Sequence, residues 1–179
     1  VDERNHRVEG VRYGNKQMYF LEARSQDRND KSTVSVWYLK EADILSSGGS
    51  AFTVDWYHKP GQRSFESIFF TGVSQAMSFG AVEEAGCNDC YEVTCRSTAI
   101  EPGHLSVYAG THERDGSRFN PLNGYIEDAD MWMGGNGRAT VGHKSGVGRH
   151  ETAGARFARE GAFSMVCFEV QDQPETAVR

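Results

Sequence analysis

Apolar positions along this chain recur mostly with a period of two, and that pattern predicts strands. The clearest case is Cys90 to Cys95, where Tyr91, Val93 and Cys95 share one face and Glu92 and Thr94 the other. Aromatic and β-branched side chains suit such a pleated surface. The Asn88-Asp89 pair just before it is a turn signal. Upstream, Tyr13 to Ala23 and Val34 to Leu39 predict two strands flanking the polar run Arg24 to Lys31, which reads as a hairpin tip. Lys40 to Leu45 reads as a short helical turn closed by Ser46 to Ser50, and Ala51 to His58 as a strand ending at the Lys59-Pro60-Gly61 turn. Phe65 to Phe70 predicts a further strand. The period then changes: Val73, Ala76, Met77, Gly80, Ala81 and Val82 follow spacings of three and four, which predicts a helix within Thr71 to Ala85 with Ser74 as its N-cap. Leu105 to Ala109 and Ala162 to Val170 predict strands, with Thr111 to Asn123 as a polar loop between them.

The stretch from Gly134 to Gly154 holds seven glycines with Lys, Arg and two His, and predicts a long loop, exposed or functional. Residues 1–10 and 171–179 read as loosely ordered ends. The 179 residues fit a single β-rich domain, 1–179, large enough to bury a core without depending on disulfides.

Charge narrows the partners. With 19 Lys+Arg against 25 Asp+Glu, net -6 and the signs interleaved, the chain lacks the footprint of a nucleic-acid binder, and an anionic membrane is an equally poor partner. No apolar run approaches the length of a membrane span. The sequence opens on Val1, and a processed mature form or an artificially trimmed chain is expected. Four cysteines in a Gly-rich, strand-rich chain predict an oxidising, extracellular compartment. Cys87-x-x-Cys90 is half a zinc knuckle, but no second pair accompanies it: His143 and His150 are seven apart, and His104 and His112 eight. Disulfides are therefore expected and no metal or other cofactor. An extended Cys90 to Cys95 places those two cysteines on opposite faces, so they cannot bridge each other, and one must reach Cys167. Which one remains open on spacing alone.

With the helix and the cysteine strand in hand, Gly72-Val73-Ser74-Gln75-Ala76-Met77 through Gly86-Cys87-Asn88-Asp89-Cys90-Tyr91-Glu92-Val93-Thr94-Cys95 resembles the expansin and barwin-like double-psi β-barrel family. Leu105 to Tyr108 then looks like the following barrel strand and Ser164 to Cys167 like the late strand. The resemblance implies a barrel core with one short helix behind an N-terminal β extension. It also implies a Cys90–Cys167 disulfide, with Cys87 and Cys95 unassigned, and an acidic residue matched most nearly by Asp128 or Asp130. By contrast, Trp56 to Gln62 is similar to a run in immunoglobulin variable domains, but those need a cysteine upstream of the tryptophan and none precedes Cys87.

The acidic run Glu127, Asp128, Asp130 has two readings: a carboxylate pair for glycoside hydrolysis, or a solvated turn. Trp132 and Tyr125, with Trp56 and Tyr57, are candidate platforms for sugar rings, since an aromatic face with a polar edge suits a pyranose. Because Trp56 and Tyr57 are adjacent on a strand, one of them is expected in the core. The expected function is a secreted carbohydrate or cell-wall binding protein without strong catalysis, in which Trp132 and Tyr125 stack on a glycan and Asp128 or Asp130 accepts its hydroxyls. The alternatives are a weak glycoside hydrolase using two of Asp55, Asp115, Asp128 and Asp130, and a β-sandwich or jelly-roll lectin, toxin or defence protein.

Overall fold

The computed structural model describes residues 8–26, 32–57, 63–96, 98–113, 118–134 and 137–172. In chain order the elements are β1 (Val8–Tyr13), β2 (Lys16–Gln17), β3 (Tyr19–Gln26), β4 (Ser32–Tyr38), α1 (Glu41–Leu45), β5 (Phe52–Trp56), β6 (Phe79–Thr94), β7 (Thr98–Ile100), β8 (Leu105–His112), β9 (Asn120–Pro121), β10 (Ile126–Gly134), β11 (Gly137–Ser145), β12 (Arg149–Glu151) and β13 (Gly154–Val170). The protein is mainly β with one short helix and antiparallel sheets, and no closed barrel forms among the described residues.

The organising element is β13. Its residues Phe163, Met165 and Cys167 face one side of the sheet and Ser164, Val166, Phe168 and Val170 the other, and all seven are buried. Such a strand needs neighbours on both edges and cover on both faces. The edges are β8 and β6, in a sheet of order β10-β11-β8-β13-β6 with β9 added beside β13. One face packs Tyr108, Tyr125, Phe119, Phe157 and Phe163 around Met165 and Cys167. On the other, Val107, Val141, Val166 and Phe168 meet Leu21, Val34 and Val36 of the β3–β4 hairpin. Three hydroxyls pin that hairpin down: Ser32 Oγ lies 2.8 Å from Thr111 Oγ1 and donates to the Thr111 carbonyl (3.0 Å), and Ser164 Oγ donates to the Ser32 carbonyl (2.5 Å). Strands β1, β2 and β5 form a separate small sheet, tied inward through α1, where Lys40 Nζ donates to the Gln75 carbonyl (2.7 Å) and the Glu41 amide to Gln75 Oε1 (3.1 Å).

Several expectations are corrected. The helix predicted in 71–85 does not form. Residues 71–78 are irregular and β6 begins at Phe79, because pairing Val82 with Phe168 and Ala85 with Met165 completes the ladder along β13, a gain that outweighs weak helical spacing around two glycines. Ser74 still caps, its Oγ accepting from the Met77 amide at 3.2 Å, but it closes a single turn. The helix observed is instead the predicted short turn, α1. Residues 65–70 form no strand: Phe65, Ile68 and Phe69 are exposed while Glu66 turns inward, the reverse of the pattern a half-buried strand needs. The glycine-rich stretch from Gly134 is largely sheet. Ala139, Thr140 and Val141 of β11 are buried, and Gly142 is glycine because a Cβ there would meet the Tyr108 ring and hydroxyl at 2.7 Å.

At the amino end, Val8 to Gly10 belong to β1. Residues 1–7, the 27–31 tip, the Lys59-Pro60-Gly61 turn and residues 173–179 lie outside the described residues.

The cysteine pairing also differs from what the family resemblance implies. Cys95, not Cys90, bonds Cys167, and Cys87 bonds Cys90. Cys95 stands one residue past β6 and Cys167 lies opposite Glu83 on the ladder; both are buried in the same core cluster, so the bond closes across the core and not between ladder partners. Cys87 and Cys90 instead flank a bulge: they lie opposite Phe163 and Gly161, three β6 residues spanning two of β13, and the extra length is taken up at Asp89 with φ at 51°. The Asn88-Asp89 signal is thus spent inside a strand.

Candidate functional site

Strand β10 is the outer edge of the main sheet, and its side chains are sorted by a second bulge, between Glu127 and Ala129. Glu127 lies opposite Gly142, Asp130 opposite Thr140 and Trp132 opposite Arg138, so all three share the face that carries Tyr108. Asp128 takes the bulge and turns to His143, whose Nδ1 is 2.8 Å from its Oδ2. The acidic run is therefore a strand, not a solvated turn, and Asp128 and Asp130 do not form a pair: the sheet lies between them.

Asp130 is held by Arg138, with Nε 3.1 Å from its Oδ1, and that side chain keeps only 8% of its surface in contact with solvent. Thr140 beside it is buried and donates to the Ala129 carbonyl at 3.1 Å. Burial raises the Asp130 pKa, opposed by Arg138 and Arg118, and Glu127 is raised by burial and by Asp130 against the same two guanidinium groups. The Tyr108 phenol is pushed up to about 12 by burial and by the carboxylates around it, with the neighbouring Thr140 hydroxyl working the other way.

Glu66 reaches this cluster from 63–70, a segment with no strand partner among the described residues. Both of its carboxylate oxygens are buried and accept no hydrogen bond among the described residues. Loss of water comes first, then the charges of Asp130 and Glu127, and together they raise its pKa to about 7. Next to it, the Phe65 ring sits 6.1 Å from that of Trp56, so the same segment runs from the end of β5 to the acidic edge. Sequence reasoning passed over Glu66, although one signal was present: it is the lone charge in the apolar run Phe65-Glu66-Ser67-Ile68-Phe69-Phe70.

The aromatic candidates separate. Trp132 is 64% exposed on the face of Asp130. Tyr125 is no platform: it is a core residue at 6%, its hydroxyl 2.7 Å from Ser106 Oγ and its ring against Tyr108. Trp56 is half-buried and Tyr57 exposed, and neither belongs to a core cluster. Of the other acids, Asp55 is ion-paired with Arg12 at 3.2 Å in the small sheet, and Asp115 lies outside the described residues. No group of three or more His, Cys, Asp or Glu suited to a metal ion occurs among the described residues, and no described helix is long and apolar enough to cross a membrane. The chain matches no family model, no curated protein and no solved structure.

Proposed function

We propose that this is a secreted carbohydrate-binding protein whose glycan lies along the β10–β11 edge, with the Trp132 ring as its platform and Glu127 and Asp130 as acceptors for sugar hydroxyls. The observation that carries the reading is the position of an exposed tryptophan two residues from the Arg138-paired Asp130 on the same face. An indole stacks on the apolar face of a pyranose while neighbouring carboxylates take its rim hydroxyls, and a shallow sheet edge accommodates a long polymer. Two disulfides suit an extracellular setting. The expansin-like barrel is not needed for this reading, since the disulfide it implies is replaced by Cys95–Cys167.

The test is co-sedimentation and calorimetric titration against insoluble and soluble polysaccharides, with Trp132→Ala alongside. Loss of about 1.4 kcal/mol of stacking lowers affinity about tenfold. Equal binding by the variant, or no binding by the parent chain, removes the reading. A second reading, glycoside hydrolysis, is favoured by one feature: Glu66 holds its proton near neutrality beside two other carboxyl groups, the division of roles that an acid and a base require. Release of reducing ends, abolished in Asp130→Asn, is its signature.

A further inference from the structure

Residues 63–70 cross the acidic edge without pairing to any strand among the described residues and turn Phe65, Ile68 and Phe69 outward. Two of their side chains turn inward: Phe70 packs against the Val107, Val166 and Phe168 cluster, and Glu66 is a carboxyl whose two oxygens are buried and unpartnered among the described residues and whose neighbours on β10, Asp130 and Glu127, carry the same charge. A neutral acid fits such a place. A carboxylate does not, because it loses water and meets repulsion with no donor in return. The other charged groups of the neighbourhood are already engaged: Arg138 of β11 with Asp130, and Arg118, before β9, with the charges of Asp130 and Glu127. Tyr108 of β8 adds only a neutral phenol, and Arg63 shares the segment of Glu66.

We infer that residues 63–70 are a proton-held strap, seated on the β10–β11 edge by neutral Glu66 and released when that carboxyl gives its proton to water, so that access to the Asp130 face is regulated by pH. Because the Glu66 pKa is raised to about 7 in the folded chain, the hold is complete in acid and fails as pH rises through that value. The part of the inference that concerns glycan access rests on the carbohydrate reading; the release itself does not.

Hydrogen exchange of the full chain, followed by mass spectrometry from about pH 5.5 to 8.5 and corrected for the intrinsic rate, tests it. Peptides covering 63–70 are expected to lose protection about tenfold or more as pH rises from about 5.5 to about 7 and to level off above it, and to keep it in Glu66→Gln, whose neutral amide never ionises. Asp130→Asn removes a repelling charge and is expected to move the midpoint downward, a readout that stands even if Glu66→Gln fails to fold. Protection that is the same at both ends of the range in the parent chain, or a midpoint unmoved in Asp130→Asn, overturns the strap. Polysaccharide binding measured at the same pH values separates the two claims. Release without change in binding retires glycan access and leaves the strap, whereas pH-dependent binding under a strap that stays protected does the reverse.

Discussion

Glu151 and Glu66 are both carboxylates drawn out of water by this fold, and their surroundings treat the charge in opposite ways. Glu151, in β12, receives Lys144 Nζ at 2.7 Å and Arg149 Nε at 3.1 Å, and these partners, Lys144 foremost, hold its pKa below the usual carboxylate range. It stands beside the Cys95–Cys167 bridge, in a small cleft lined also by Ser106 and Ala153. Glu66 has burial without donors, and its pKa moves up. The difference shows that removal from water does not by itself decide the sign of a shift; the neighbours do. It also separates a region built to hold from a region with a built-in weakness. The two respond to pH in opposite directions: the Glu151 contribution is present above its unfolded pKa and lost as pH falls through the folded one, while that of Glu66 is present below about 4.5 and lost as pH rises through about 7.

Breaking the firm region is expected to cost most. Replacing both Cys95 and Cys167 by Ser reopens a 72-residue separation and is expected to lower stability by roughly 4 kcal/mol in urea unfolding, whereas the same change at Cys87 and Cys90, three apart, costs roughly 2 kcal/mol. Equal losses would mean that Cys95–Cys167 does not anchor the sheet. Next in size is Glu151→Gln. It leaves the Lys144 ammonium with the Asn123 carbonyl but no charged partner, and a fall of about 2 to 3 kcal/mol is expected at neutral pH. Glu66→Gln carries the opposite sign: at pH 8 it is expected to raise stability by about 1 to 2 kcal/mol, the proton-affinity difference being discounted for solvent reaching the segment, and to change little at pH 4. A loss at pH 8 would place Glu66 with Glu151 and dissolve the contrast. Smallest of all is Trp132→Ala, whose exposed ring is expected to alter unfolding by less than about 0.5 kcal/mol while glycan affinity falls.

What the sequence disclosed follows the same division. The closing strand, the β3–β4 hairpin and the strand after Leu105 were legible because their alternation coincides with burial on a continuous ladder. The helix expected after Thr71 was misread because local spacing knows nothing of the partner strand that β13 provides. Glycine content likewise misrepresented β11, where Gly142 serves the approach of Tyr108 and not a loop. At the site, Trp132 and Asp130 were visible as an aromatic beside an acid. Two facts were not: the bulge that sends Asp128 to the other face, and the arrival of Glu66 from sixty residues upstream. Both depend on tertiary register, which a period in one segment does not encode.

The contrast between the two buried acids is open to one direct measurement, a carbon-13 titration of the glutamate side-chain carboxyls, with Glu66 and Glu151 assigned from their Gln variants. The account predicts a Glu66 midpoint near 7 and a Glu151 midpoint below the ordinary glutamate value of about 4.5. A Glu66 carboxyl that titrates at or below 4.5 would contradict it, since the buried edge would then supply the partners that the geometry denies.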